Sequence, residues 1–167
     1  FVGYETLQAS SEVIRIIKKG QLVPSARSGE EVEIITAQTP FYGEAGGQVG
    51  DQGMISGEGF LFELHDAIRP LPELIIHHGV ITEGRVRVGD EVQLQVDGER
   101  RRATARNHTA THILQAALRE VVGGHINQAG SLVSPERLRF DFTHYEAIDQ
   151  KTLERIETLV NRRIWED

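Results

Sequence analysis

The sequence predicts an α+β chain in two parts, and three observations predict it. Short β-branched segments, separated by Gly, Pro and Asp, fill residues 1–97. Apolar residues at helical spacing then run through 104–122. Beyond them a strictly alternating segment at 137–143 leads into an amphipathic stretch.

In the first part, segments 12–17 and 31–35 are β-branched and roughly alternating, and 60–64, 74–81 and 91–96 continue the series. Lys19-Gly20, Ser28-Gly29, residues 57–59, Arg69-Pro70 and Val88-Gly89-Asp90 punctuate the gaps. Several short strands at this spacing predict a small barrel or sandwich. Residues 85–92 read as a hairpin-like turn into a strand.

In the second part, Ile113, Leu114, Ala117, Leu118, Val121 and Val122 recur at helical spacing, and Gly123-Gly124 ends that helix. At 137–143, Leu138, Phe140 and Phe142 face a core while Arg139, Asp141 and Thr143 face away. Asp149 can cap a last helix, in which Leu153, Ile156, Leu159, Val160 and Ile164 form one apolar stripe. One strand between two helices cannot make an α+β layer, so this part needs more strands.

The 167 residues suffice for one large domain or two small ones, with a core that needs no staple. Absence of cysteine excludes disulfides and thiolate ligands from within the chain and fits a reducing compartment. The longest apolar run, Leu74-Ile75-Ile76, is strand-sized, and no signal-peptide pattern opens the chain, so no membrane partner and a cytoplasmic location are expected. A net charge of −7 argues against a free-standing nucleic-acid binder. A start at Phe1 and a stop at Asp167 just after a helical stretch read as a piece of something longer.

Chemistry concentrates in Arg106-Asn-His-Thr-Ala-Thr-His112. His108 and His112 are i and i+4 on one helix, so both imidazoles can reach one point. That is half of a zinc site, because zinc takes four ligands, or three and a water. The alternative is one surface histidine and one packed one. Zinc peptidases need a Glu directly after the first histidine, and Thr109 stands there instead. Arg100, Arg101, Arg102 and Arg106 cluster just before or within this helix, as phosphate contacts or as a solvated edge. Residues 39–53 carry five glycines, which let backbone approach a ligand or turn sharply. No Gly-Lys-Ser/Thr follows and no G-x-G-x-x-G opens a helix, so nucleotide-loop readings fail. The residues alone read as a tight corner in a β context.

Taken together these motifs resemble the alanyl-tRNA synthetase family. Residues 39–53, with Thr39, Gly46, Gly47, Gln48, Gly50 and Asp51, resemble its glycine-rich motif. The segment Arg106-Asn-His-Thr-Ala-Thr-His112 resembles the first zinc motif of its editing domain. Gln128-Ala-Gly-Ser-Leu-Val133 and Arg137-Leu-Arg-Phe-Asp-Phe-Thr-His144 resemble the stretch that follows. Free-standing editing proteins of the AlaX type and part of threonyl-tRNA synthetase share these motifs.

The resemblance implies a translation-factor-like β-barrel over 1–97 and, over 98–167, the first part of an α/β editing core. It implies hydrolysis of tRNA(Ala) mischarged with serine or glycine, because an alanine pocket cannot strongly reject an added hydroxyl or a smaller side chain. It makes His108 and His112 zinc ligands and Thr111, Gln128 and Ser131 pocket residues. It gives the glycine-rich loop a substrate-side role, beside the barrel-corner reading, and the four arginines a contact with the tRNA acceptor end. The aminoacylation domain, which uses ATP and Mg, would precede Phe1, and the rest of the synthetase chain would be a partner.

One departure stands out. The family completes its zinc site with a downstream Cys-x-x-x-His, and this chain has no cysteine. His65, His77, His78, His125 and His144 are not at the matching place, and His77-His78 is expected to follow a strand. Weak or absent zinc binding and little or no hydrolysis are therefore expected of this piece alone. A tRNA-docking module without catalysis and a truncated AlaX-type deacylase are the alternatives.

Overall fold

The computed structural model describes residues 1–166 and divides into two units. The first comprises Phe1–Ala45 and Val49–Arg101; the second comprises Gly46–Gln48 and the chain from Arg102 onward.

The first unit has eight strands, of which β1, β4 and β8 follow most directly from alternating β-branched and apolar residues. They are β1 (Gln8–Lys18), β2 (Gln21–Val23), β3 (Ser25–Arg27), β4 (Glu31–Thr36), β5 (Gly53–Gly57), β6 (Phe60–Leu71), β7 (Leu74–Arg87) and β8 (Glu91–Val96). Six close an antiparallel ring, β1-β4-β7-β6-β5-β8, with β8 pairing back onto β1. β2 extends β1, and β3 pairs with β7. Of the two expected architectures the barrel is the one present, and closure removes the open edges a sandwich would have to protect. Val13, Ile16, Ile34, Ile55, Phe62 and Ile81 fill its interior with no exposed surface.

Several boundaries differ from those the sequence suggests. β6 runs through Arg69-Pro70, and the turn falls at Pro72 and Glu73, where Arg69 Nε donates to the Pro72 carbonyl at 2.8 Å. His77 and His78 lie inside β7, in agreement with the strand expected at 74–81 and not after a strand. His77 is fully buried beside Phe41, with ring centroids 5.4 Å apart. Its Nδ1 donates to the Ile34 carbonyl at 2.9 Å, so Nε2 accepts from the Thr39 hydroxyl at 2.8 Å. Burial pushes its pKa down from the ordinary 6.5 to about 4, against the opposing pull of the Ile34 carbonyl.

The helix α1 (Gly98–Val121), whose first turn belongs to the first unit and whose remainder belongs to the second, begins earlier than the expected 104. Asp97 is the reason: its Oδ1 accepts the Glu99 and Arg100 amides, each at 3.0 Å, as an N-cap does. The helix stops before Gly123, whose φ is 144°. The expected lone strand is one of two, β9 (Asn127–Val133) and β10 (Leu138–Thr143), paired antiparallel. Asp149 caps α2 (Gln150–Glu166) as expected, its Oδ1 accepting the Thr152 amide at 2.7 Å. Ala117, Leu118, Ile126, Ile156 and Leu159 form the core of the second unit, with Phe140, Phe142 and Val160 packed on it. The expected stripe of α2 is buried only in its middle; Leu153 and Ile164 are 45% and 48% exposed.

No helix among the described residues is long and apolar enough to cross a membrane.

Candidate functional site

The helical pitch of α1 sets His108 and His112 on one face, and their rings stack with centroids 5.0 Å apart at 29°. Both are exposed. His108 is further held: its Nδ1 lies 2.6 Å from Gln48 Oε1. Gln48 is only 9% exposed and comes from the tip of the glycine-rich loop, the part of that loop belonging to the second unit.

The tip is fixed by main chain. The Val133 amide donates to the Gly47 carbonyl at 2.7 Å, and Gln48 forms a parallel bridge to Val133. Gly47 has a φ of 84°, and a Cβ there would meet the Ser131 carbonyl oxygen at 2.4 Å. Only glycine allows that approach. Thr39, Gly50 and Asp51 serve the first unit, whereas Gly46 belongs with Gly47 and Gln48 to the second. Thr39 accepts the Phe41 amide at 3.1 Å while donating to His77. A Cβ on Gly50 would meet the Ala67 carbonyl oxygen at 2.0 Å. Asp51 accepts the Tyr42 amide at 2.6 Å and pairs with Arg101.

Gln128 and Ser131 sit on β9. Three residues apart, they would point to opposite faces of a regular strand. The register shift between Asp141 and Phe142 leaves Ala129 as an extra residue, so Gln128 stands opposite Phe142 and Ser131 opposite Phe140. The bulge therefore brings both pocket candidates to one face. Thr111 is buried at 7% exposure, and its hydroxyl donates to the Asn107 carbonyl at 2.8 Å. Asn107 has no role that its sequence context suggests, yet its Nδ2 donates to the Ser134 carbonyl at 2.7 Å, joining α1 to the end of β9.

The four arginines separate. Arg102 and Arg106 are exposed. Arg101 is committed inside the first unit: Nε donates to Asp51 Oδ1 at 2.9 Å, the NH1 group to the Gly3 carbonyl at 2.9 Å, and the NH2 group to the Pro40 carbonyl at 2.8 Å and to Asp51 Oδ2. Arg100 is half-buried.

As a metal site the pair is tested by its own geometry. Two imidazoles one turn apart, one of them with Nδ1 engaged, are a donor set of the kind zinc takes, and they account for two of its four ligands. Among the described residues no group of three His, Cys, Asp or Glu side chains gathers at one point. His125 and His144 form a separate pair, Nε2 to Nδ1 at 2.9 Å, with Tyr145 stacked on His125 and tilted against His144.

Known proteins are similar to this chain over nearly all of its length. Residues 1–100 match the family described as tRNA synthetases class II (A). The alanine–tRNA ligase of Carboxydothermus hydrogenoformans is 56% identical over 164 residues, which is 98% of this chain and 19% of that protein. The alanine–tRNA ligase of Pelotomaculum thermopropionicum is 51% identical over the same shares. That of Desulfosudis oleivorans is 50% identical over 100% of this chain and 19% of its own length. The chain thus spans about a fifth of the curated relatives it matches.

Proposed function

We infer the function of this chain from the family to which it belongs, the tRNA synthetases class II (A). We propose that it is a region of an alanine–tRNA ligase, and within it the first part of the editing site. The reaction is hydrolysis of the ester that joins serine or glycine to tRNA(Ala): water adds to the acyl carbonyl, and the ribose oxygen leaves and takes a proton. The observation that carries this reading is the stacked His108–His112 pair, with His108 held by Gln48 of the glycine-rich loop.

His108 and His112 would hold a zinc ion together with ligands from further along the ligase. When bound, such an ion polarises the ester carbonyl or lowers the pKa of a water. The chain's own residues do the positioning. Gln128 and Ser131, on one face of β9, offer an amide and a hydroxyl to a serine side chain. A polar pocket built for a hydroxyl discriminates far better than an apolar one. The Thr111 hydroxyl spends its proton on Asn107, so it faces a substrate only as an acceptor. Exposed Arg102 and Arg106 would contact phosphates of the acceptor end, which orients the RNA without reading sequence. ATP and Mg belong to aminoacylation elsewhere in the ligase, and the location is cytoplasmic.

The test compares this chain with a version extended through the downstream Cys-x-x-x-His. Zinc content and hydrolysis of Ser-tRNA(Ala) are measured on the same samples. The reading predicts that the extended protein binds zinc and hydrolyses the ester, that His108→Ala removes both, and that the shorter chain does neither well. An extended protein that binds tRNA but leaves the ester intact would make the region a docking module.

A further inference from the structure

Gln48 does something no ligand set requires of it. Its side chain is nearly buried, and its carbonyl oxygen lies 2.6 Å from a ring nitrogen of an exposed histidine. An amide oxygen only accepts, so the proton of that hydrogen bond sits on His108 Nδ1. In a neutral imidazole the other nitrogen, Nε2, then carries the lone pair. Free histidine in water favours the opposite tautomer. Without an acceptor at Nδ1, most His108 rings would carry their proton on Nε2 and would have to move it before binding a metal there.

The machinery that delivers Gln48 is elaborate for one hydrogen bond. Gly47 reaches the Ser131 backbone only because it lacks a side chain, its carbonyl accepts the Val133 amide, and Gln48 bridges to Val133. These contacts fix the Gln48 backbone against β9, so its side chain meets His108 from a set direction. His112, the other member of the pair, is met by the stack with His108 rather than by a loop amide. The two histidines are therefore prepared differently.

We propose that Gln48 is a positioning residue that locks His108 in the Nδ1–H tautomer and presents Nε2 as the metal ligand. The glycine-rich loop is then the outer support of the first zinc ligand, in addition to any contact it makes with substrate. This rests on the zinc-editing reading for its purpose, but not for its test. Outer hydrogen bonds to metal-binding histidines fix their tautomer and orientation, and removing one costs about 10- to 100-fold in metal affinity.

The experiment is long-range nitrogen–proton correlation NMR on the chain with labelled histidine, without metal, at a pH where the imidazoles are neutral. The expected spectrum shows His108 with a protonated Nδ1 and a bare Nε2. Gln48→Met, similar in size but without an acceptor, should move His108 toward the Nε2–H form and leave His112 unchanged. Gln48→Glu restores an acceptor and should restore the Nδ1–H form. The amide signals of β9 and β10 report that each variant is folded, and a Gln48→Met chain that loses them is replaced by Gln48→Leu. In the extended protein, Gln48→Met should weaken zinc binding about tenfold, and Gln48→Glu should not. A wild-type His108 in the Nε2–H form, or one indifferent to Gln48→Met, overturns the proposal. Failure of the extended protein to hydrolyse Ser-tRNA(Ala) would count against the editing reading alone, because the tautomer is read without substrate or metal.

Discussion

Replacing Arg101 by methionine separates the two roles open to it. The side chain is 17% exposed and its partner Asp51 is 7% exposed. Arg101→Met keeps most of the aliphatic stem but deprives Asp51 of its countercharge and the Gly3 and Pro40 carbonyls of their donors. Removing one partner of a buried ion pair costs about 3–5 kcal/mol, because the other charge stays buried without compensation. Residual exposure of the arginine puts the expected loss at the low end, about 3 kcal/mol, or roughly a 150-fold rise in the unfolding constant. Asp51 keeps one hydrogen bond, from the Tyr42 amide, which also argues for the low end. The assay is urea unfolding followed by the amide signals of the barrel strands, with Asp51→Asn and the double variant completing a cycle. The double variant should be less destabilised than the sum of the singles. A residue used mainly for phosphate contact would behave otherwise: stability within about 0.5 kcal/mol of wild type and a salt slope of tRNA binding lower by about 1. That pair of results would refute a structural role for Arg101.

His77 should make the barrel acid-sensitive. Its folded-state pKa, about 4, lies below the ordinary 6.5, so between these values the unfolded chain binds a proton that the folded one refuses. Its stabilising share is complete above pH 6.5 and is lost as pH falls through the window to 4, about 3 kcal/mol in all. Urea midpoints measured across that window should fall with pH for wild type and fall less for His77→Gln; parallel slopes would contradict the assignment. Gly47→Ala should cost more than Gly46→Ala: both have positive φ, but only Gly47 has the Ser131 carbonyl oxygen within reach of a Cβ. Amide exchange at Val133, which donates to Gly47, should quicken for Gly47→Ala, and equal behaviour of the two variants would show that the loop tip is not seated on β9. Arg106→Ala, at an exposed position, should leave stability unchanged and lower the salt slope of tRNA(Ala) binding by about 1, read by titration at several salt concentrations.

How much of the molecule is legible in its sequence depends on where the determining force lies. Strands such as β8 and β4 are readable because alternating burial is written into their residues, and α1 because its apolar residues repeat at helical spacing. β5, Gly-Met-Ile-Ser-Gly, carries almost no pattern; it is a strand because β6 and β8 offer it partners on both sides. β9 is polar and bulged, so its alternation is broken at Ala129 and it resembles a loop. The start of α1 is signalled by Asp97, an N-cap directly before Gly98 and Glu99, but the apolar period begins later and points to 104 instead. His77 is legible as a histidine but not as a core residue, since its partners Thr39 and Ile34 are remote in sequence. The same holds for the site. Helical spacing alone pairs His108 with His112, whereas the meeting of Gln48 with His108 and of Gly47 with Ser131 depends on a fold that brings distant segments together. Composition marks residues 39–53 as a shaped loop without saying which residues serve which unit.

Whether this region forms the first half of a zinc-dependent editing site is decided by substrate discrimination in the extended protein. Hydrolysis of Ser-tRNA(Ala) and of Ala-tRNA(Ala) would be followed side by side, with and without His112→Ala. The expected outcome is rapid loss of the serine ester, near-background loss of the alanine ester, and collapse of the first rate to background in the variant together with its zinc content. A serine ester that survives as long as the alanine ester in the zinc-loaded wild-type protein would show that the editing assignment is wrong.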